Sequence, residues 1–227
     1  SVEVAKSSRI HLLLDDPAES RQCTAYECLG AEVSILGRPY VLSSGTWYQA
    51  SDAFLKRVDT TVSKIGAPKV SLKKWNGSDS EGAYNAKCCK GTDFIHFDTK
   101  NVMYGGGQYK FEFCDMMHLK TKTLVFAKIV SRSSGMSHLV EQVRNTAALF
   151  FQLDGTFRTE LKKRYLTAYP GASTAWPDSK PRAGDWTFCL ASLGPSATEM
   201  PLFARISLMQ LASHLRERGH EVAFVAV

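Results

Sequence analysis

No run of apolar residues in this 227-residue chain approaches the roughly 20 that a membrane-spanning helix needs. The first residues, Ser1-Val-Glu-Val-Ala-Lys6, hold no hydrophobic leader segment, so a cytoplasmic protein with no membrane partner is expected. They also lack a starting methionine, and the chain is expected to be a fragment of a longer polypeptide. Cysteine is sparse, with Cys23, Cys28, Cys88, Cys89, Cys114 and Cys189 only. The first two are five apart and the next two adjacent, so the paired C-x-x-C spacing of a structural zinc site is missing. A chain of this length has no need of a disulfide framework, and the thiols are expected to be reduced, mostly core filler. There is no Walker-type loop and no serine elbow. Gly105-Gly-Gly107 joins two predicted strands and opens no helix, so it reads as a hairpin rather than a nucleotide loop. Repeats and low-complexity tracts are absent as well.

What is present is an ordinary globular composition: 44% hydrophobic and 22% charged residues, enough for one large domain. The net charge is +6 and the pI about 9.0, a mild preference for an anionic partner. Basic residues gather in Lys69–Lys74, Lys120–Lys122 and Arg158–Arg164, where a phosphate backbone could use them.

Element patterns follow in order. A strand is predicted over Ser8–Leu14 and a hairpin over Ala31–Ser43, continued at Trp47. Phe54, Leu55, Val58, Val62 and Ile65 recur at helical spacing. After a basic linker come a short helix over Ser80–Lys90 and three strands over Phe94–Asp98, Tyr109–Asp115 and Leu124–Val130. A helix over about Ser137–Phe151, a basic helix over Phe157–Tyr165, a turn-rich loop over Tyr169–Gly184, a buried strand over Trp186–Ala191, a helix over Pro201–Arg218 and a last strand over His220–Val227 complete the chain. Hairpins first and crossovers later predict an α/β (α+β) fold, a mixed central sheet with helices on both faces. Residues 1–79 read as an N-terminal strand, hairpin and helix extension with the basic linker, and residues 80–227 as the core.

The candidate chemistry gathers on the central strands. Asp115 ends the second strand, and Lys128 interrupts the apolar run of the third. A lysine buried there needs a partner, and Asp115 on the neighbouring strand is the expected one. Phosphodiester hydrolysis asks for a divalent metal held by carboxylate oxygens, an activated water and charge neutralisation. Glu81 reads equally well as an ordinary first-turn helix acid. Glu112 alternates with Phe111 and Phe113 and reads as solvent-facing. His138 and Gln142 lie one helical turn apart. Ser133-Ser-Gly-Met-Ser137 precedes them and could present backbone N–H groups to a phosphate. Lys120, Lys122, Arg132, Ser134 and His138 are the expected nucleic-acid contacts. His96 reads as structural.

Two resemblances rest on these residues. Tyr40-Val-Leu-Ser-Ser-Gly-Thr-Trp-Tyr48, Glu81-Gly-Ala-Tyr-Asn85, Glu112-Phe-Cys-Asp115, Lys128, Ser137-His-Leu139 with Gln142, and Pro201-Leu-Phe-Ala-Arg-Ile206 occur in this order. From about Cys28 to the end the chain is similar to the C-terminal half of an uncharacterised, sporadically distributed bacterial protein family. That distribution implies a setting in defence or genetic conflict. Ser80–Ala191 resembles the PD-(D/E)XK nuclease superfamily, in which a helix precedes three strands, a helix and a further strand. The resemblance implies a restriction-endonuclease-like core, with Asp115 and Lys128 as the core aspartate and lysine and Gln142 as the glutamine of the RecB-like branch. The third-strand acid position holds Phe126 instead, so a second metal ligand must be Glu81 or Glu112. Glu112 and Asp115 are three apart and face opposite sides of a regular strand, which favours Glu81 unless a bulge intervenes.

The expected function is a Mg2+- or Mn2+-dependent nuclease acting on DNA in preference to RNA. Its catalytic residues would be Lys128, Asp115, Gln142, Glu81 and Glu112, with Asp115, Glu81 and Glu112 on the metal. The alternatives are a catalytically degenerate nucleic-acid-binding or interaction module on the same fold, and a structural assembly domain. Homo-oligomers are compatible with the sequence.

Overall fold

A computed structural model describes residues 1–12, 21–97, 102–104, 109–130, 133–153, 155–168 and 180–227. The chain divides into two compact units, Ser1–Arg57 and Val58–Val227. The division falls within helix α2 (Asp52–Ser63), so the basic linker belongs to the second unit.

The first unit begins with helix α1 (Val2–Ser7), followed by strands β1 (Arg9–Leu12) and β2 (Arg21–Thr24), paired antiparallel. An antiparallel meander of β3 (Ala31–Ile35), β4 (Arg38–Ser43) and β5 (Thr46–Gln49) follows. Both meander turns are two residues long, Leu36-Gly37 and Ser44-Gly45, with φ positive at both positions. Such turns match the right-handed twist of the strands and favour glycine at the second position. The hairpin expected here is formed; α1 and β2 carry no periodic pattern and were not foreseen.

The second unit is a three-layer arrangement around a five-stranded mixed sheet. In spatial order its strands are β12 (Glu221–Ala226), β11 (Thr187–Leu193), β10 (Thr123–Ile129), β9 (Met116–His118) and β6 (Phe94–His96). The first three run parallel and the last three form an antiparallel meander. Helix α3 (Glu81–Cys89) packs on one face, where Tyr84 and Cys88 meet Val125, Ala127, Cys189 and Ala191. Helices α4 (Ser133–Phe150) and α6 (Leu202–Glu217), with α5 (Thr156–Ala168) between them in the chain, lie on the other, where Leu139, Val143, Leu208 and Leu211 meet Leu124, Phe126, Phe188 and Leu190. β10 and β11 are continuous apolar runs because both their faces are buried. The α+β fold with a mixed sheet flanked by helices is as expected.

Two boundaries differ from expectation. The second central strand is β9, not Tyr109–Asp115. Strand β8 (Tyr109–Phe111) instead pairs with β7 (Val102–Tyr104) in a separate two-stranded sheet. Met116-Met117-His118 lacks β-branched residues, so no local propensity marks it as a strand; the ladder to Leu124 and Val125 makes it one. Helix α4 starts at Ser133 rather than Ser137. Gly135 makes this early start possible, since a Cβ there would come within 3.0 Å of the Ile129 carbonyl oxygen. The Gly105–Gly107 turn and most of the Tyr169–Gly184 loop lie outside the described residues.

The cysteine expectation holds in part. None of the six cysteines is in a disulfide; Cys88, Cys114 and Cys189 are buried, and burial pushes the Cys189 thiol up to about 12. Cys23 and Cys28 are not core residues, and their sulfurs face each other at 3.3 Å.

His220, just before β12, is 5% exposed and wedged against Phe151 and Phe188 at ring distances of 4.5 and 5.1 Å. Burial holds its pKa below the ordinary value. Arg218 and His214 add to the shift, and a hydrogen bond with the Ala183 backbone opposes it. The unfolded chain therefore takes up this proton first as pH falls. His220 favours folding fully above about pH 6.5, and that contribution shrinks below it, down to the folded-state pKa. Denaturant midpoints are expected to drop between about pH 7.5 and about pH 5.5, and by less in His220→Gln. Equal drops in the two proteins would remove His220 as the cause.

Candidate active site

β10 is seven residues long, but β9 pairs only with its first three, Thr123–Val125. Beyond Val125 the β9-side edge of β10 has no strand neighbour among the described residues, and its N–H groups on that side need other acceptors. Two carboxylates supply them. Asp115 Oδ2 accepts from the Ala127 N–H at 2.6 Å, and Glu81 Oε1 accepts from the Ile129 N–H at 2.9 Å. Those two amides are about 7 Å apart along the strand. Between them sits Lys128, whose Nζ donates to Glu81 Oε2 at 2.6 Å. The ion pair is half-buried, each side chain being 30% exposed.

Each member is placed by its own element. Ser80 caps α3 through the Ala83 N–H, so Glu81 is the first helical residue and points off the helix start toward β10. Asp115 is 6% exposed and is held by its backbone as well. Its N–H bonds the Val125 carbonyl, and its carbonyl takes the Phe97 N–H. Lys128, two residues on from Phe126, shares its α4 face of the sheet.

Lys128 opens onto a cavity of about 380 Å³ that Glu112, His138, Leu139, Glu141, Gln142 and Asn145 also line. His138 and Gln142 come from the same face of α4. The Gln142 side-chain nitrogen is buried with no hydrogen-bond partner among the described residues. Glu141 is engaged by Arg144 at 3.4 Å. Glu112 precedes β9 in irregular chain and reaches this cavity, so alternation along a strand does not govern it.

The structure thus brings Lys128, Glu81 and Asp115 to one strand edge, and Lys128, Glu112, His138 and Gln142 to one cavity. It does not bring Lys120 and Lys122 there. They sit at the β9–β10 turn, roughly 20 Å along β10 from Lys128, paired with Asp93 and Asp185 at 2.8 Å each. The first of these pairs is largely exposed and adds little stability. Arg132 lies outside the described residues, as does the side chain of Ser134. The phosphate loop expected at Ser133–Ser137 is instead the first turn of α4. Two basic residues expected for phosphate serve the backbone: Arg158 is buried and donates to the Phe150 and Gln152 carbonyls at the end of α4, and Lys73 donates to the Lys87 and Lys90 carbonyls at the end of α3.

Ser192 was not among the expected residues. It lies beside Lys128 in the parallel register of β11 and β10 and so shares its sheet face. It is buried, and its hydroxyl has no partner among the described residues. A polar residue ending an apolar strand run was the one signal that could have found it.

The chain matches, over residues 1–227, a family described as being of unknown function, DUF6119. The chain belongs to that family. No curated protein and no solved structure matches it. Among the described residues of this DUF6119 chain, no three or more His, Cys, Asp or Glu side chains gather as a ready-made metal cluster, and no helix is long and apolar enough to cross a membrane. The donors at the β10 edge are nonetheless those a hard cation uses. Mg2+ is held by one or two carboxylates, keeps several waters and takes substrate phosphates. Asp115 and Glu81 are two such carboxylates on one strand edge, with Glu112 in the adjoining cavity.

Asp115 is also a structural acceptor. Asp115→Ala is expected to cost about 1–3 kcal/mol, because it leaves the Ala127 N–H buried without a partner. Asp115→Asn, which keeps an acceptor oxygen, is expected to retain most of that stability. Urea midpoints compare the two, and equal losses would mean that the hydrogen bond is not the cause.

Proposed function

We propose that this DUF6119 chain carries a metal-dependent nuclease site, with DNA preferred to RNA as substrate, in a cytoplasmic bacterial protein of anti-phage defence or genetic conflict. One observation carries the reading: the Lys128 ammonium is held by the Glu81 carboxylate beside Asp115, at the mouth of a polar cavity. The element order supports it, because a helix, three antiparallel strands, a helix and a parallel strand are the PD-(D/E)XK order. Glu81 then stands in for the third-strand acid that Phe126 replaces.

In this reading Asp115 and Glu81, with Glu112 from the cavity side, hold a divalent cation. The cation, when bound, lowers the pKa of water and neutralises phosphate charge. Lys128 Nζ donates to a phosphate oxygen and stabilises the negative charge that grows there. Glu81 keeps the Lys128 side chain aimed. The Gln142 amide orients the attacking water or the phosphate from the cavity wall, and His138, exposed on the same face of α4, contacts the phosphate backbone.

A second reading is a non-catalytic nucleic-acid-binding module. It is favoured by the engagement of both Glu81 oxygens by N–H donors. One experiment separates the two: purified protein is incubated with plasmid, single-stranded DNA and RNA, with Mg2+, Mn2+ or EDTA. Metal-dependent products that vanish in Lys128→Ala support the nuclease. Salt-sensitive binding without cleavage supports the binding module.

A further inference from the structure

A second cavity, of about 640 Å³, lies at the other end of the sheet. It opens between the C-terminal end of α4, the Lys180–Ala183 segment and the start of β12. Its volume falls within the range of small-molecule sites. Among the described residues every ionisable group on its wall is basic: Lys180, Arg182, Arg218 and His220. Among the described residues none of the three cations Lys180, Arg182 and Arg218 has an ion pair, whereas Lys87, Lys120, Lys122, Lys128 and Arg205 each do. The carboxylate of Asp185, close enough to feel Arg182, is taken by Lys122. Like charges collected on one concavity repel each other, and low-dielectric walls focus their field onto whatever anion enters. Ala147 and Ala148 of α4, with Phe151 and Gln152 just beyond its end, complete the lining, and the Phe151 ring packs on His220 at 4.5 Å. The cations therefore suit a phosphate, and the Ala147, Ala148 and Phe151 side chains a planar apolar group.

We propose that this cavity binds a nucleotide unit, its phosphate on Arg182, Arg218 and Lys180 and its base along the Ala148–Phe151 wall. A free nucleotide and one nucleotide of a nucleic-acid strand offer the same chemistry. The site is separate from the Lys128 cavity. The parallel strands put His220 and Lys122 at their N-terminal ends and Lys128 near the C-terminal end of β10, roughly 20 Å away. Its occupation does not depend on cleavage.

The test is calorimetric titration of the full chain with AMP, ATP, inorganic phosphate and a single-stranded dT oligonucleotide, with EDTA present so that cleavage plays no part. Arg182→Ala/Arg218→Ala removes the anion side, and Ala148→Trp fills the cavity without touching a charge. Unfolding midpoints check that each variant is folded. Binding of AMP or ATP, weakened roughly tenfold or more by either change, with inorganic phosphate weaker than AMP, supports the free-nucleotide source. Oligonucleotide binding lost in both variants, with no AMP binding, supports the strand source. In either case the His220 ring resonances shift on binding in wild type. Absence of binding to any nucleotide probe, binding that neither variant weakens, or phosphate bound as tightly as AMP overturns the proposal. Because binding is read with EDTA present and cleavage with metal present, failure of the nuclease reading and failure of this one are told apart.

Discussion

Lys128→Ala is expected to lower metal-dependent cleavage roughly 10²–10³-fold while leaving the unfolding midpoint close to wild type. The magnitude is that of removing one pre-organised donor from the place where transition-state charge develops. The fold should survive because the ammonium is 30% exposed and lies at the strand edge rather than in the core. Glu81→Gln tests the other half of the pair. It keeps an acceptor for the Ile129 N–H but removes the charge that holds Lys128. Cleavage should fall again, and the double variant should be hardly worse than Lys128→Ala, because residues that act as a unit are not additive. Single-turnover rates with saturating protein read this directly. A Lys128→Ala protein that cuts at the wild-type rate would sink the assignment. Additive losses would mean that Glu81 and Lys128 act separately.

Phe126→Glu, which restores the acid that the superfamily pattern expects, is expected to unfold the protein rather than improve it. Phe126 is fully buried, at 0% exposure. Its ring lies parallel to that of Phe188, 6.0 Å away with an interplanar angle of 8°. It packs in the cluster that α4 and α6 build on this face. Removing such a ring costs about 3–5 kcal/mol, and a carboxylate left there without a partner costs more. Against a total stability of about 5–15 kcal/mol for an ordinary domain, that is a large share. Phe126→Ala should lose the ring contribution alone, and Phe126→Leu the least of the three. Denaturant midpoints rank them. A folded Phe126→Glu protein with raised cleavage would make position 126 a metal position and remove the need for Glu81.

Both expectations turn on one structural substitution. A strand that pairs for only three residues leaves two amides of its neighbour open. The carboxylates that close them come from a helix start and from the residue before the strand. One of them, Glu81, also reaches the Lys128 ammonium across the sheet edge. Helix α4 lines two cavities, with His138 and Gln142 in its first half on the Lys128 cavity and Ala147 and Ala148 near its end on the basic cavity.

The amino-acid sequence by itself determined the elements whose signal is local. Thr123–Ile129 and Thr187–Leu193 are apolar runs that only a doubly covered strand accommodates, and the helical spacing in Leu139, Val143, Ala147 and Phe150 made α4 legible. Lys128 stood out for the same reason, because a charge inside such a run must find a partner. The identity of that partner was a matter of tertiary structure. Asp115 is near in sequence and reads as the natural choice, yet its carboxylate bonds the Ala127 amide, while Glu81, 47 positions from Lys128, takes the ammonium. Only the ladder made Met116–His118 a strand, since pairing rather than propensity defines it. Only packing turned Arg158 and Lys73 from phosphate-binding candidates into caps for helix carbonyls, and Lys120 and Lys122 into partners of Asp93 and Asp185. A run of basic residues records charge but not where the nearest acceptor lies. That distance depends on which chain segments the sheet brings together.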